Sequence, residues 1–197
     1  MALARDEYSG EPDAGLLVGR LSDAYAWLES RGCLGPTTDS AGWRRVTQAG
    51  RELLEAGGLT TLYASERLQG NLLPKLERSA RPNFDRGDYE TASFAAMKEV
   101  EVEVRRLSGL PAGLLGTKLM QEALRIGGPL ADPNAEAGEQ VALVELFKGA
   151  IGSFKNPPSH RAVEFDDPME AAEVVQFADL LLRILRRIER RLAAAEE

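Results

Sequence analysis

The chain has little of what most catalytic and metal sites are built from: its 197 residues include one histidine, His160, and one cysteine, Cys33. A lone cysteine closes no intramolecular disulfide, and a lone histidine excludes zinc sites of the HExxH or Cys2His2 type. Gly149-Ala-Ile-Gly152 leads into no Gly-Lys-Ser/Thr, and no Gly-x-Gly-x-x-Gly follows a strand, so P-loop nucleotide hydrolysis is excluded. Basic side chains are outnumbered, 24 against 31, and the net charge of −7 repels polyanions from the molecule as a whole. Any contact with nucleic acid must therefore be local. Aromatics make up only 6%. Apolar runs such as Leu180 to Leu182 fall far short of the roughly 20 residues that span a bilayer. The opening Met-Ala-Leu-Ala-Arg-Asp-Glu has neither the basic start nor the apolar stretch of a secretory signal, so a cytoplasmic protein without membrane attachment is expected.

Ala, Leu, Glu and Arg recur throughout, and 44% of the residues are hydrophobic. That composition predicts a mainly α protein with a packed core. Between Ala14 and Gly32, the positions Leu17, Leu21, Ala24, Tyr25 and Leu28 repeat at helical spacing. A run rich in turn formers follows Gly32, then a short strand at Trp43 to Thr47 and a helix from Gln48 to Ala56, stopped by Gly57-Gly58. This order, with Ala-Trp-Leu-Glu-Ser-Arg-Gly-Cys-Leu followed by Thr-Gln-Ala-Gly-Arg-Glu-Leu-Leu, resembles part of a winged-helix module. Residues 59–83, carrying Pro74 and Pro82, read as a connector with a short helix. Residues 84–197 read as a helical bundle. Its long first helix starts at Asp88 and has a stripe of Tyr89, Ala92, Ala96, Val100, Val104 and Leu107, with Glu101, Glu103, Arg105 and Arg106 among the residues covering the rest. A second helix is predicted over Thr117 to Ile126. The third, from Glu136 to about Phe154, is expected to turn Val141, Val144, Leu146, Phe147 and Ile151 inward. The last starts with Asp167 as N-cap and Pro168 at the first helical position. These four helices are expected to pack on one another through their stripes.

The chemistry concentrates in Phe154-Lys155-Asn156-Pro157-Pro158-Ser159-His160-Arg161. Two consecutive prolines force the chain out of the third helix and stiffen the elbow before the fourth. An imidazole near its ordinary pKa can take or give a proton at neutral pH, as cleavage of an RNA backbone by its own 2′-hydroxyl requires. Lys155, Ser159 and Arg161 would contact the phosphate and offset its developing charge without a metal or other cofactor. The same residue types also suit a proline turn with solvated charges. Likewise, Arg183, Arg186, Arg187, Arg190 and Arg191 read either as a solvated helix face or as a contact for an RNA backbone.

Residues 84–187 carry a multi-part pattern: Phe84-x-x-Gly87-x-Tyr89-x-x-Ala92, Glu-Val-Glu-Val-Arg-Arg-Leu-Ser-Gly from Glu101, Lys118-Leu-Met120, Leu146-Phe147-x-Gly-Ala150 and Lys-Asn-Pro-x-Ser-His-Arg from Lys155. This resembles the Ymh-type family of bacterial and phage proteins, which is similar to the HEPN superfamily of all-α domains. The resemblance implies a bundle that homodimerises, bringing together an Arg-x4–6-His motif from each protomer as a metal-independent ribonuclease site. On that pattern His160 matches the catalytic histidine, Asn156 the polar residue after the arginine, and Lys155 the arginine itself. Lysine keeps the charge and gives up the planar, bidentate grip on phosphate. The implied function is an endoribonuclease toxin acting on cellular RNA, tRNA among the candidates, in abortive-infection defence against phage. The alternative is a non-catalytic module that dimerises or binds a partner, including a partner defence protein such as a nucleotidyltransferase. Over residues 1–57, six basic face nine acidic side chains, which argues against duplex DNA as the ligand of the first segment.

Overall fold

The computed structural model describes residues 13–37, 42–55, 58–68, 70–156 and 167–196. The chain divides into two compact units, residues 1–59 and 60–197.

In the first unit, α1 (Ala14–Ser30) is followed by Gly32 in the left-handed region, at φ 68°. Two short antiparallel strands come next, β1 (Leu34–Pro36) and β2 (Arg44–Val46), paired Leu34 to Val46, Gly35 to Arg45 and Pro36 to Arg44. β1 falls in the stretch read from sequence as turn, because Leu-Gly-Pro offers no alternation and ends in a residue without an N–H. Thr47 then organises the entry to α2 (Gln48–Glu55): its hydroxyl accepts from the Gly50 N–H at 3.0 Å and donates to the Gly32 carbonyl at 2.6 Å. Gly50 is required there, since a Cβ would stand 2.5 Å from the Cys33 carbonyl oxygen. The ion pair of Arg44 with Glu29 ties β2 to α1.

The second unit is helical throughout: α3 (Leu59–Leu68), α4 (Pro74–Ser79), α5 (Arg81–Asp85), α6 (Tyr89–Ser108), α7 (Gly116–Leu124), α8 (Ala137–Ala150) and α9 (Pro168–Glu196). The protein is thus mainly α, and no described helix is long and apolar enough to cross a membrane. The segment read as a connector contributes Ala64, Leu68, Leu72, Leu73, Leu76 and Ala80 to the same buried cluster as the bundle. Its prolines stand at helix starts, Pro74 and Pro82 each in the first turn, where the missing N–H has no partner to lose. Asp179, buried on α9, accepts from the Leu73 N–H at 2.7 Å and from Arg183 Nε at 2.5 Å, which fixes the start of α4 against α9.

α6 starts where the Asp88 carboxylate accepts from the Thr91 N–H at 3.1 Å and ends at Gly109, φ 64°. Its stripe of Ala92, Ala96, Val100 and Val104 is buried, with Tyr89 and Leu107 packed at the margins. The two long helices, α6 and α9, pack chiefly on each other, α7 joins α6, and α8 lies on α7. In α8 the inward set is Val144, Phe147 and Ala150, continued by Ile151 in the turn that follows. Val141 and Leu146, expected inside, are exposed. Leu146 precedes inward Phe147 by one residue and so points some 100° away from it, and Val141 lies a turn before the buried stretch. The larger departure is on α6, where Glu101 and Glu103, read as part of the polar cover, are buried at 4% and 6% exposure.

Candidate functional site

The prolines at 157 and 158 mean that α8 cannot continue, and the helix widens before it ends. Ile151–Lys155 form a single π turn, and the Asn156 N–H reaches back to the Ile151 carbonyl at 3.0 Å. Such turns misalign side chains relative to the preceding α-helix and occur often at functional sites. Here the turn brings Lys155 onto α6. Its Nζ lies 3.2 Å from Glu101 Oε2 and 6.0 Å from the centroid of the Phe94 ring, and its side chain is 18% exposed. The adjoining Phe154 ring meets Phe177 of α9 edge-on, with centroids 6.4 Å apart. The last turn before the elbow is therefore gripped on two sides.

Glu101 is where three elements converge. Arg105, one turn along α6, donates from Nη2 to Glu101 Oε1 at 3.0 Å and to the Leu114 carbonyl at 2.8 Å, tying the loop before α7 to the same carboxylate. The Gly116 N–H also points to Glu101. Burial disfavours charge on Glu101, yet Arg105, Lys155 and the Gly116 N–H together hold its carboxyl below the ordinary range. Gly116 has φ 57°, and a Cβ on it would stand 3.3 Å from Asn156 Oδ1. Two cations, Arg105 and Lys155, thus contact the one Glu101 carboxylate. Nε of Arg105 is buried with no hydrogen-bond partner among the described residues.

A second carboxylate, two residues further along α6, is treated alike. Glu103 pairs with Lys75 and, at 2.6 Å, with Arg106, which also reaches Glu189 of α9 at 2.5 Å. The hydrogen bond from Arg106 does most to hold Glu103 below its ordinary pKa, against burial, with Lys75 adding to it.

Of the residues singled out from sequence, Lys155 and Asn156 come together beside Gly116. Ser159, His160 and Arg161 lie outside the described residues. Sequence reasoning missed Glu101 and Arg105 as a site pair, although their i, i+4 spacing is a signal for a helical ion pair. Among the described residues, no three His, Cys, Asp or Glu side chains gather as a metal site would require.

A family model described as a protein of unknown function (Hypoth_ymh) matches residues 71–185. The matched span opens at the turn before α4 and closes within α9, so it takes in Glu101, Arg105 and the whole elbow. No curated protein and no solved structure gives a significant match.

Proposed function

We propose, from the premise that this chain belongs to the Hypoth_ymh family, that its second unit is a HEPN-type, metal-independent endoribonuclease. Its biological role is that of a toxin in abortive-infection defence, acting in the cytoplasm on tRNA or other cellular RNA. The observation that carries this reading is the polar end of α8: Lys155 and Asn156 are held against Glu101, Arg105 and Gly116, four residues ahead of the chain's one imidazole. On this reading the π turn anchors the chain at Lys155 and Asn156, just ahead of the segment that carries the base.

In the proposed reaction His160 removes the proton from the 2′-hydroxyl. The 2′-oxygen attacks phosphorus, the bond to the 5′-oxygen breaks, and that oxygen leaves with a proton from the His160 imidazolium of a second copy across a homodimer axis. The products are a 2′,3′-cyclic phosphate and a 5′-hydroxyl. Ser159 and Arg161 contact the phosphate. Lys155, its charge shared with Glu101, orients the elbow and adds to the local positive field. The first unit is read as a winged-helix-like segment whose acidic balance favours a protein ligand over duplex DNA.

A second reading has one observation in its favour: the ion pair between Lys155 and buried Glu101 is also what a purely structural turn would have, in a module that dimerises and binds a partner without cleaving. Expression of wild type and His160→Ala side by side separates the two. Growth arrest and RNA fragments with cyclic-phosphate ends from the wild type alone, unaffected by EDTA, support the nuclease. Equal behaviour of the two proteins supports the binding module.

A further inference from the structure

On the face of α9 turned away from the bundle, Arg183, Arg186, Arg187 and Arg190 are all exposed and follow the i, i+3, i+4, i+7 pattern that places side chains in one row. Arg183 is committed to Asp179 and to the Asn71 carbonyl at 2.8 Å. Arg186, Arg187 and Arg190 have no acidic partner among the described residues, and the nearest carboxylate on the helix, Glu189, is taken by Arg106. Three uncompensated guanidinium groups within five residues contrast with a chain of net charge −7. Elsewhere its cations are mostly matched to acids, as Lys75, Arg81, Arg105, Arg106 and Arg191 are.

Arg187 also lines a cleft of about 410 Å3 between α9, α8 and the loop that follows α7. That volume falls within the range of small-ligand sites, about 300–1,000 Å3. Its apolar lining comes from Leu124, Leu143, Ile184 and Ile188. Arg191 stabilises its wall by donating to the Leu130 and Ala131 carbonyls at 2.8 Å and pairing with Asp132 at 2.9 Å.

We infer that this face of α9 binds a single strand of nucleic acid, with phosphates along the arginine row and an unpaired base entering the cleft beside Arg187. Guanidinium groups grip phosphate oxygens in a planar, two-toothed fashion and stack on base faces, so one residue at the boundary serves both functions. A backbone with one charge per residue and a flat, largely apolar group beside each charge matches a cation row next to a cleft of mixed lining, where Leu124, Leu143, Ile184 and Ile188 stand beside Gln140, Glu139 and an Asp132 already paired with Arg191. An acidic peptide matches the row and leaves the cleft unused. The choice of RNA as the strand rests on the nuclease reading, whereas the site itself does not. Most of the row lies beyond residue 185, outside the span that the family model matches.

The test uses the full chain and a fluorescent 12-nucleotide 2′-O-methyl RNA, which cannot be cut, with anisotropy followed across a salt series. Replacing Arg186, Arg187 and Arg190 together by Ala should weaken binding at least tenfold at low salt. It should also reduce the slope of log K against log salt by about 2, as loss of three phosphate contacts to a single strand implies. Lysine at the same three positions should restore most of the slope, and an abasic strand of equal length should bind the wild type several-fold more weakly than the base-bearing strand. Unchanged affinity of the alanine variant, equal binding of the abasic strand, or competition by polyglutamate on an equal charge basis would overturn the assignment. Arginine-dependent binding by a wild type that cleaves no RNA removes the nuclease reading and leaves this site standing. Cleavage that survives with arginine-independent binding does the reverse.

Discussion

At the scale of single residues, the decisive group is Glu101, a carboxylate that composition and periodicity alone would place in water. A buried anion is tolerated only with partners, and here Arg105, Lys155 and the Gly116 N–H provide them. Glu101→Gln removes the charge that both Arg105 and Lys155 contact. The expected loss is about 3 kcal/mol, the lower end for breaking a buried pair, read as a Tm lower by roughly 6–12 °C in thermal denaturation. His160→Ala should leave Tm unchanged while abolishing cleavage, so Tm and RNA cleavage measured together separate support from chemistry. The titration has a definite sign. Glu101 and Glu103 both lie below their ordinary values when folded, whereas the unfolded chain titrates near 4.3. Their stabilisation is complete above about pH 4.3 and is lost as pH falls from there through the folded values. Tm should therefore hold near neutrality and fall in acid, less steeply in Glu101→Gln. An equally steep fall in the variant would show that other carboxylates govern it.

At the scale of elements, the four helices read as a bundle were legible because their signals are local: an apolar stripe, a start at Asp88 and Asp167 as a cap. The caps also predict magnitudes. Asp88→Ala frees the Thr91 N–H and should cost about 1 kcal/mol in chemical denaturation. The elements that make the candidate site were less legible, for a physical reason. A π turn depends on where α8 must stop and on what the widened turn can grip, and neither Phe94 nor Glu101 is near Lys155 in sequence. Likewise, residues 59–83 carry two prolines, and only tertiary packing reveals that both begin helices that send a side chain into the core, Leu76 from α4 and Phe84 from α5. Gly116→Ala tests how tightly the turn is held. At φ 57° a side chain is strained, and the new Cβ would crowd Asn156 Oδ1, so the variant should lose about 1–2 kcal/mol and, on the nuclease reading, activity with it. Tm and cleavage rate both unchanged would show that Asn156 is not held there.

At the scale of the whole molecule, the two units are built to different standards of burial. Every residue of the main apolar cluster lies between Ala64 and Ile188, within the second unit. In the first, α1 buries none of its residues and leaves Leu16, Leu17 and Leu21 more than half exposed, while Cys33 and Gly50 are the buried positions among those described. Since burial of apolar area is the main source of stability, the first unit has little of its own and should open at a free energy well below that of the bundle. Residues 60–197 expressed alone should therefore fold, with helical circular dichroism and a cooperative melt close to that of the main transition in the full chain. Limited proteolysis of the full chain should cut within residues 1–59 before any cut appears in α6, α7 or α9. A fragment 60–197 that is unfolded, or a full chain whose first cuts fall in the bundle, would mean that the first unit supplies stability its burial does not show. If the fragment keeps RNA cleavage, the catalytic apparatus belongs to the bundle, and the first unit is left with recognition or regulation.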